Sequence, residues 1–100
     1  MVFDISKISG IGEFTSEVQK VDEEHTRTLY FKNEKAFLVE NKNTIELRTD
    51  DGLRKLLIEK YESVMESRYF GRGGIEIVLV GKQLAENDLN DLIRLSYNLS

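Results

Sequence analysis

Apolar and polar positions alternate most cleanly at residues 44–48, where Ile45 and Leu47 face one way and Thr44, Glu46 and Arg48 the other. A period of two marks a half-buried strand. Residues 27–32, with Leu29, Tyr30 and Phe31, and 35–40, with Ala36, Phe37, Leu38 and Val39, predict two more strands. Tight connections join them at Asn33-Glu34 and Asn41-Lys42-Asn43; asparagine tolerates the unusual backbone angles of such turns. Residues 14–21 read as a strand before this meander, and 75–80 as the most apolar strand and the central one. Two segments carry a helical period instead. Thr49 is a suitable N-cap and Asp50 and Asp51 place negative charge at a helix start. Leu53, Leu56, Leu57, Tyr61, Val64 and Met65 then share one face, so the helix is expected to run to about Glu66. Leu89, Leu92, Ile93, Ser96 and Leu99 form the stripe of a last helix. Small Ser96 would allow close approach to the sheet, with its hydroxyl bonding back to the Leu92 carbonyl. Val2, Ile5 and Ile8 allow a short N-terminal helix ending at Gly10.

Strands with a polar face and helices with one apolar face require each other. The expected fold class is α+β: a two-layer α/β sandwich, one domain over residues 1–100, with an antiparallel sheet of about five strands and two or three helices on one face. Parity sends Leu29, Phe31, Phe37, Val39, Ile45, Leu47, Ile75, Ile77 and Leu79 to the helices. The opposite parity holds Thr44, Glu46 and Glu76 but also Tyr30, Ala36, Leu38, Val78 and Val80. An apolar patch of this kind marks an interface, and Tyr30, Leu38, Val78 and Val80 are the interface candidates. The other arrangement has Val2, Phe3, Ile5 and Ile8 folding over them.

Composition narrows the function classes. The chain has 100 residues, 40% hydrophobic and 32% charged, and no cysteine or proline. Disulfides, thiol catalysis and thiolate metal sites are thereby removed. No run approaches the ~18 apolar residues of a membrane span, and the first residues are too polar for a secretory signal. A cytoplasmic protein with no membrane partner is expected. The charge content and lack of cysteine suit a thermophile. The net charge is −4, with seven basic and ten acidic residues in the first half and seven and eight in the second. Phosphate neutralisation supplies most nucleic-acid affinity, so this balance disfavours DNA.

Candidate chemistry is sparse. His25, the one histidine, follows Asp22, Glu23 and Glu24; consecutive turn residues do not converge on one metal, and the run reads as a solvated turn. Gly71-Arg72-Gly73-Gly74 has the composition of an anion nest but lacks the Gly-Lys-Ser/Thr of a P-loop, since Gly81-Lys82 precedes Gln83. It reads as a connector, with an anionic-ligand site between Arg68 and Gly74 as the alternative. Arg68, Tyr69, Phe70 and Arg72 mix cations and rings as single-strand binders do, or else the rings pack over the core edge. No nucleophile–base pair stands out, so a non-enzyme without cofactor or metal is expected.

The run LYFKNEKAFLVENKNTIELR, a helix, and then GIEIVLVGKQLAENDLNDLIRLSYNLS resembles the MmcQ/YjbR-like proteins and related small archaeal and bacterial families. Phe37, Leu47, Gly81, Leu92, Ile93, Ser96, Tyr97 and Leu99 carry the match, over residues 28–100. The resemblance implies a sandwich like that of secretion chaperones and a predicted DNA-binding role, for which Arg48, Arg68, Arg72 and Lys82 would be the first candidates. The chain differs in lacking tryptophan. The leading expectation is a protein-interaction module, chaperone-like or self-associating as a homodimer, with a DNA-binding module and a small-anion binder as alternatives.

Overall fold

A computed structural model describes residues 5–81 and 83–100. Val2, Phe3 and Lys82 lie outside the described residues. Among the described residues the chain is α+β, with a six-stranded antiparallel sheet and two α-helices. A 3-10 turn at Ile5–Lys7 precedes β1 (Thr15–Lys20), β2 (Thr26–Lys32), β3 (Lys35–Glu40) and β4 (Thr44–Arg48). Helix α1 (Asp51–Lys60), β5 (Val64–Ser67), β6 (Gly71–Val78) and helix α2 (Glu86–Leu99) complete the chain. The sheet order is β1-β2-β3-β4-β6-β5.

The four-strand meander matches the expected strands. Asn33 takes the turn between β2 and β3 at φ 51°, a left-handed angle that asparagine adopts more readily than most residues. At the next turn the Asn41 N–H donates to the Thr44 carbonyl at 2.9 Å.

The second half corrects the expectation of about five strands. The helix cap is Asp50, not Thr49: its carboxylate accepts from the Leu53 N–H at 2.7 Å, while the Thr49 N–H extends the β4–β6 ladder to the Gly73 carbonyl. Tyr61 is already extended, with φ −123° and ψ 127°. Val64 and Met65 then pair with Ile77 and Glu76 as strand β5. Their spacing suits either a helix or a strand, and the pairing decides, because it supplies hydrogen-bond partners to the outer side of β6. The glycine-rich segment is likewise not a connector: Gly71 opens β6. A Cβ at Gly74 would collide with the Leu47 carbonyl oxygen and lie 2.9 Å from the Phe70 Cβ, so only glycine lets β6 approach β4 there.

Side-chain parity breaks at a bulge. Tyr30 faces Leu38 but Phe31 faces Ala36, which leaves Phe37 as the extra residue of β3. A bulge of this kind shifts the facing of all that follows it. Phe37 and Leu38 both enter the main core, with Ile45, Leu47, Ile75 and Ile77 from the sheet and Leu57, Leu89 and Ile93 from the helices. Leu29 and Val39 fall in register with Glu46 and Glu76 instead. The expected placing of Leu29 and Val39 beside the helices is therefore reversed, and so is that of Tyr30 and Leu38 on the opposite face. Ile5 and Ile8 join the same main core.

Ser96 has a different role from the one expected. Its hydroxyl donates to the Phe37 carbonyl at 2.5 Å and accepts from the Arg48 N–H at 2.8 Å. The β3–β4 register runs Leu38 to Leu47, so Phe37 and Arg48 would form its next rung. The serine of α2 completes that rung, bonding across the sheet rather than to its own helix.

Candidate functional site

The polar face of the sheet is built on two glutamates set directly opposite each other. Glu46 and Glu76 are register partners, each 2% exposed. Like charges in that position repel, so their oxygens need donors. Glu46 receives the Ser67 hydroxyl at 2.9 Å and the Tyr69 N–H at 2.8 Å on one oxygen, and the Asn41 amide at 2.9 Å on the other. Glu76 receives Arg68 Nε at 2.9 Å on one oxygen, and Arg68 Nη2 and the Thr44 hydroxyl, both at 2.8 Å, on the other. Burial pushes the Glu76 carboxyl up, but the Arg68 and Thr44 hydrogen bonds and the arginine charge outweigh it and hold the group below its ordinary value. The pairing raises the Arg68 guanidinium in turn.

These bonds pin the turn after β5 across the face. The Phe70 N–H donates to the Ser67 hydroxyl at 2.8 Å. Tyr69 and Phe70 stack edge to face at 4.9 Å. Arg27 lies over the Tyr69 ring and Arg48 over the Phe70 ring, at 5.2 and 4.9 Å. The segment read as a connector, with an anionic-ligand site as the alternative, is thus held down by the sheet's own carboxylates.

Beside this network a cleft of about 540 Å³ opens between the β1–β2 and β3–β4 turns, lined by His25, Arg27, Lys42, Thr44, Glu46 and Arg68 among others. His25 Nδ1 meets the Asp22 carboxylate at 2.8 Å. That carboxylate also accepts the Glu24 and His25 N–H groups, and these bonds, the Glu24 N–H foremost, hold it below the ordinary range. The hydrogen bonds of His25 and Asp22 thus serve the turn. Among the described residues no cluster of three or more histidine, aspartate or glutamate side chains could hold a metal ion. No helix of the described residues is long and apolar enough to cross a membrane.

The cation candidates have different settings. Arg48 Nε donates to the Ala36 carbonyl at 2.6 Å, Arg68 is paired with Glu76, and Arg72 is exposed near the start of β6. The interface candidates do not share a surface either. Leu38 is fully buried, and Tyr30 packs against the main core with its hydroxyl donating to Glu40 at 3.1 Å. Val78 is half-buried at the end of β6, and Val80 lies beyond the strand, 71% exposed. The bulge is why parity alone grouped them wrongly.

The strand expected at residues 14–21 is β1, and what the sequence did not show is its place at the edge of the sheet. It is an edge strand, paired only with β2 among the described residues, in unbroken register from Thr15 opposite Phe31 to Lys20 opposite Thr26. The Val21 N–H donates to the His25 carbonyl at 2.9 Å. Antiparallel ladders alternate between residues that bond across the pair and residues that do not. Counting back from Val21, residues Gln19, Glu17 and Thr15 bond to β2, while Ser16, Val18 and Lys20 direct their backbone groups outward. Val18 is 67% exposed and Val21 57%. The signal available in the sequence was a valine in a polar strand.

Comparison of the chain with protein-family models, with characterised proteins and with solved structures gives no match.

Proposed function

We propose that this chain is a small cytoplasmic protein-interaction module that takes up an extended polypeptide as an added strand on β1. In this reading the molecule is a two-layer sandwich whose helices close one face, while the pinned Tyr69-Phe70 turn crosses the other. Of the two edges that the sheet order leaves, β1 and β5, the β1 edge is the one this reading gives to a partner. The observation that carries the reading is the outward backbone of Ser16, Val18 and Lys20 beside an exposed valine. An open edge with unpaired N–H and C=O groups is a template for strand addition, with main-chain bonds giving affinity and alternate side chains giving selectivity. Natural edges are guarded by proline, a bulge or charged side chains, lysine above all. β1 has neither proline nor a break in its register with β2, and its charges are confined to Glu17 and Lys20 on either side of Val18.

The test is amide-shift mapping with a panel of extended peptides, each matched by a copy N-methylated at alternate residues. Shifts centred on Ser16, Val18 and Lys20 that vanish with the methylated copies are expected. A panel that leaves the β1 amides unmoved while shifting another surface would overturn the reading.

A further inference from the structure

We infer that the strand added to β1 is β1 of a second copy, paired antiparallel about a two-fold axis at Val18; this rests on the docking reading above. The argument is one of register. In a two-fold antiparallel pair some residue must face its own counterpart, because the symmetry axis passes through a residue pair. The strand offers few choices. Centring on Glu17 stacks two carboxylates, and centring on Lys20 stacks two ammonium groups; like charges directly opposite destabilise a pair. Centring on Gln19 sets Val18 against Lys20. Centring on Ser16 sets Lys20 beyond the strand, against Gly12.

Val18 satisfies every requirement at once. It faces Val18 of the second copy, so two exposed apolar side chains cover each other. Glu17 then faces Gln19, an acceptor against an amide, and Ser16 faces Lys20. The Val18 backbone is one of the outward-directed set. The axis therefore falls on a hydrogen-bonded pair, and Ser16, Val18 and Lys20 all find partners. The result is one continuous sheet through both copies.

Sedimentation equilibrium of the full chain tests this, with two variants. Val18→Pro removes the donor at the axis, and the β1–β2 ladder is spared because that N–H points outward. Val18→Lys places two like charges face to face. We expect the wild type to be dimeric, and each variant to weaken dimerisation by roughly tenfold to a hundredfold, with unchanged far-ultraviolet dichroism. A wild type that stays monomeric, or a dimer indifferent to both variants, overturns the inference. A monomer whose β1 amides still shift with extended peptides loses the dimer but keeps the docking edge. A monomer whose β1 ignores them loses both.

Discussion

Two neighbouring rows cross the same sheet. One runs Ser16, Tyr30, Leu38, Leu47, Ile75 and Glu66; the next runs Glu17, Leu29, Val39, Glu46, Glu76 and Met65. At β4 and β6 the first row is Leu47 and Ile75, buried against the helices, and the second is Glu46 and Glu76, equally buried. The apolar row is held by contact area and tolerates imprecision in angle. The acidic row is held by hydrogen bonds that either close or do not. The same depth of burial should therefore fail in different ways when disturbed.

The largest effect is expected on the apolar row. Leu47 is fully buried in the main core, so Leu47→Ala should cost about 3–4 kcal/mol in denaturant unfolding, the transfer loss plus a cavity. The acidic row comes next. Glu46→Ala leaves the Tyr69 N–H, the Ser67 hydroxyl and the Asn41 amide without their acceptor. Losing the acceptor of several largely buried donors costs about 2–3 kcal/mol. It should also speed amide exchange at Tyr69 and Phe70 while leaving α2 protected, which Leu47→Ala should not do. Equal loosening of both faces by the two variants would show that the faces are not held separately.

Ser96 ties the helix layer to the backbone rung beside the apolar row, on the side away from the acidic one. Ser96→Ala strands the Phe37 carbonyl and the Arg48 N–H, and should cost about 2 kcal/mol. Ser96→Cys, with a weaker donor, should fall between the two. A Ser96→Ala protein as stable as wild type would mean that the rung is dispensable.

How much of this could be read in advance depends on which signals were local. The β2–β3–β4 meander was legible because strand period and asparagine turns agree at residues 26–48. The last helix was legible from its stripe. β5 was not, since Val64 and Met65 fit a helical stripe equally well and only the outer side of β6 decides between them. The two faces were misassigned because the Phe37 bulge depends on a partner strand and leaves no mark in the period. The edge could have been noticed from Val18 standing alone in a polar strand, but its openness is a fact of sheet order. The expected kinship with the MmcQ/YjbR-like proteins rested in part on Phe37, Leu47, Ile93, Ser96 and Tyr97, residues that the structure buries, and no family model matches the chain.

The gentlest way to separate the faces is pH. Glu76 is held below the usual carboxylate range by Arg68 and Thr44 in spite of its burial. A carboxylate whose folded value is depressed adds stability above its unfolded value, near ~4.3 for glutamate, and loses it as pH falls through the folded value. Wild-type stability should therefore decline on acidification below the unfolded value, and the acidic row should loosen before the apolar one. Arg68 is three-quarters exposed at its side chain, so Arg68→Ala should cost only about 1 kcal/mol at neutral pH. Its sharper consequence is a smaller acid decline: with the arginine gone, the burial that raises Glu76 is less opposed, the folded value moves up toward the unfolded one, and protonation then costs the fold less. Leu47→Ala should lower the whole curve without moving its acid limb. If Arg68→Ala also lowers the curve and leaves the limb in place, the arginine side chain is not what keeps the buried carboxylate charged, and the Thr44 hydroxyl and the backbone N–H at position 68 must do so.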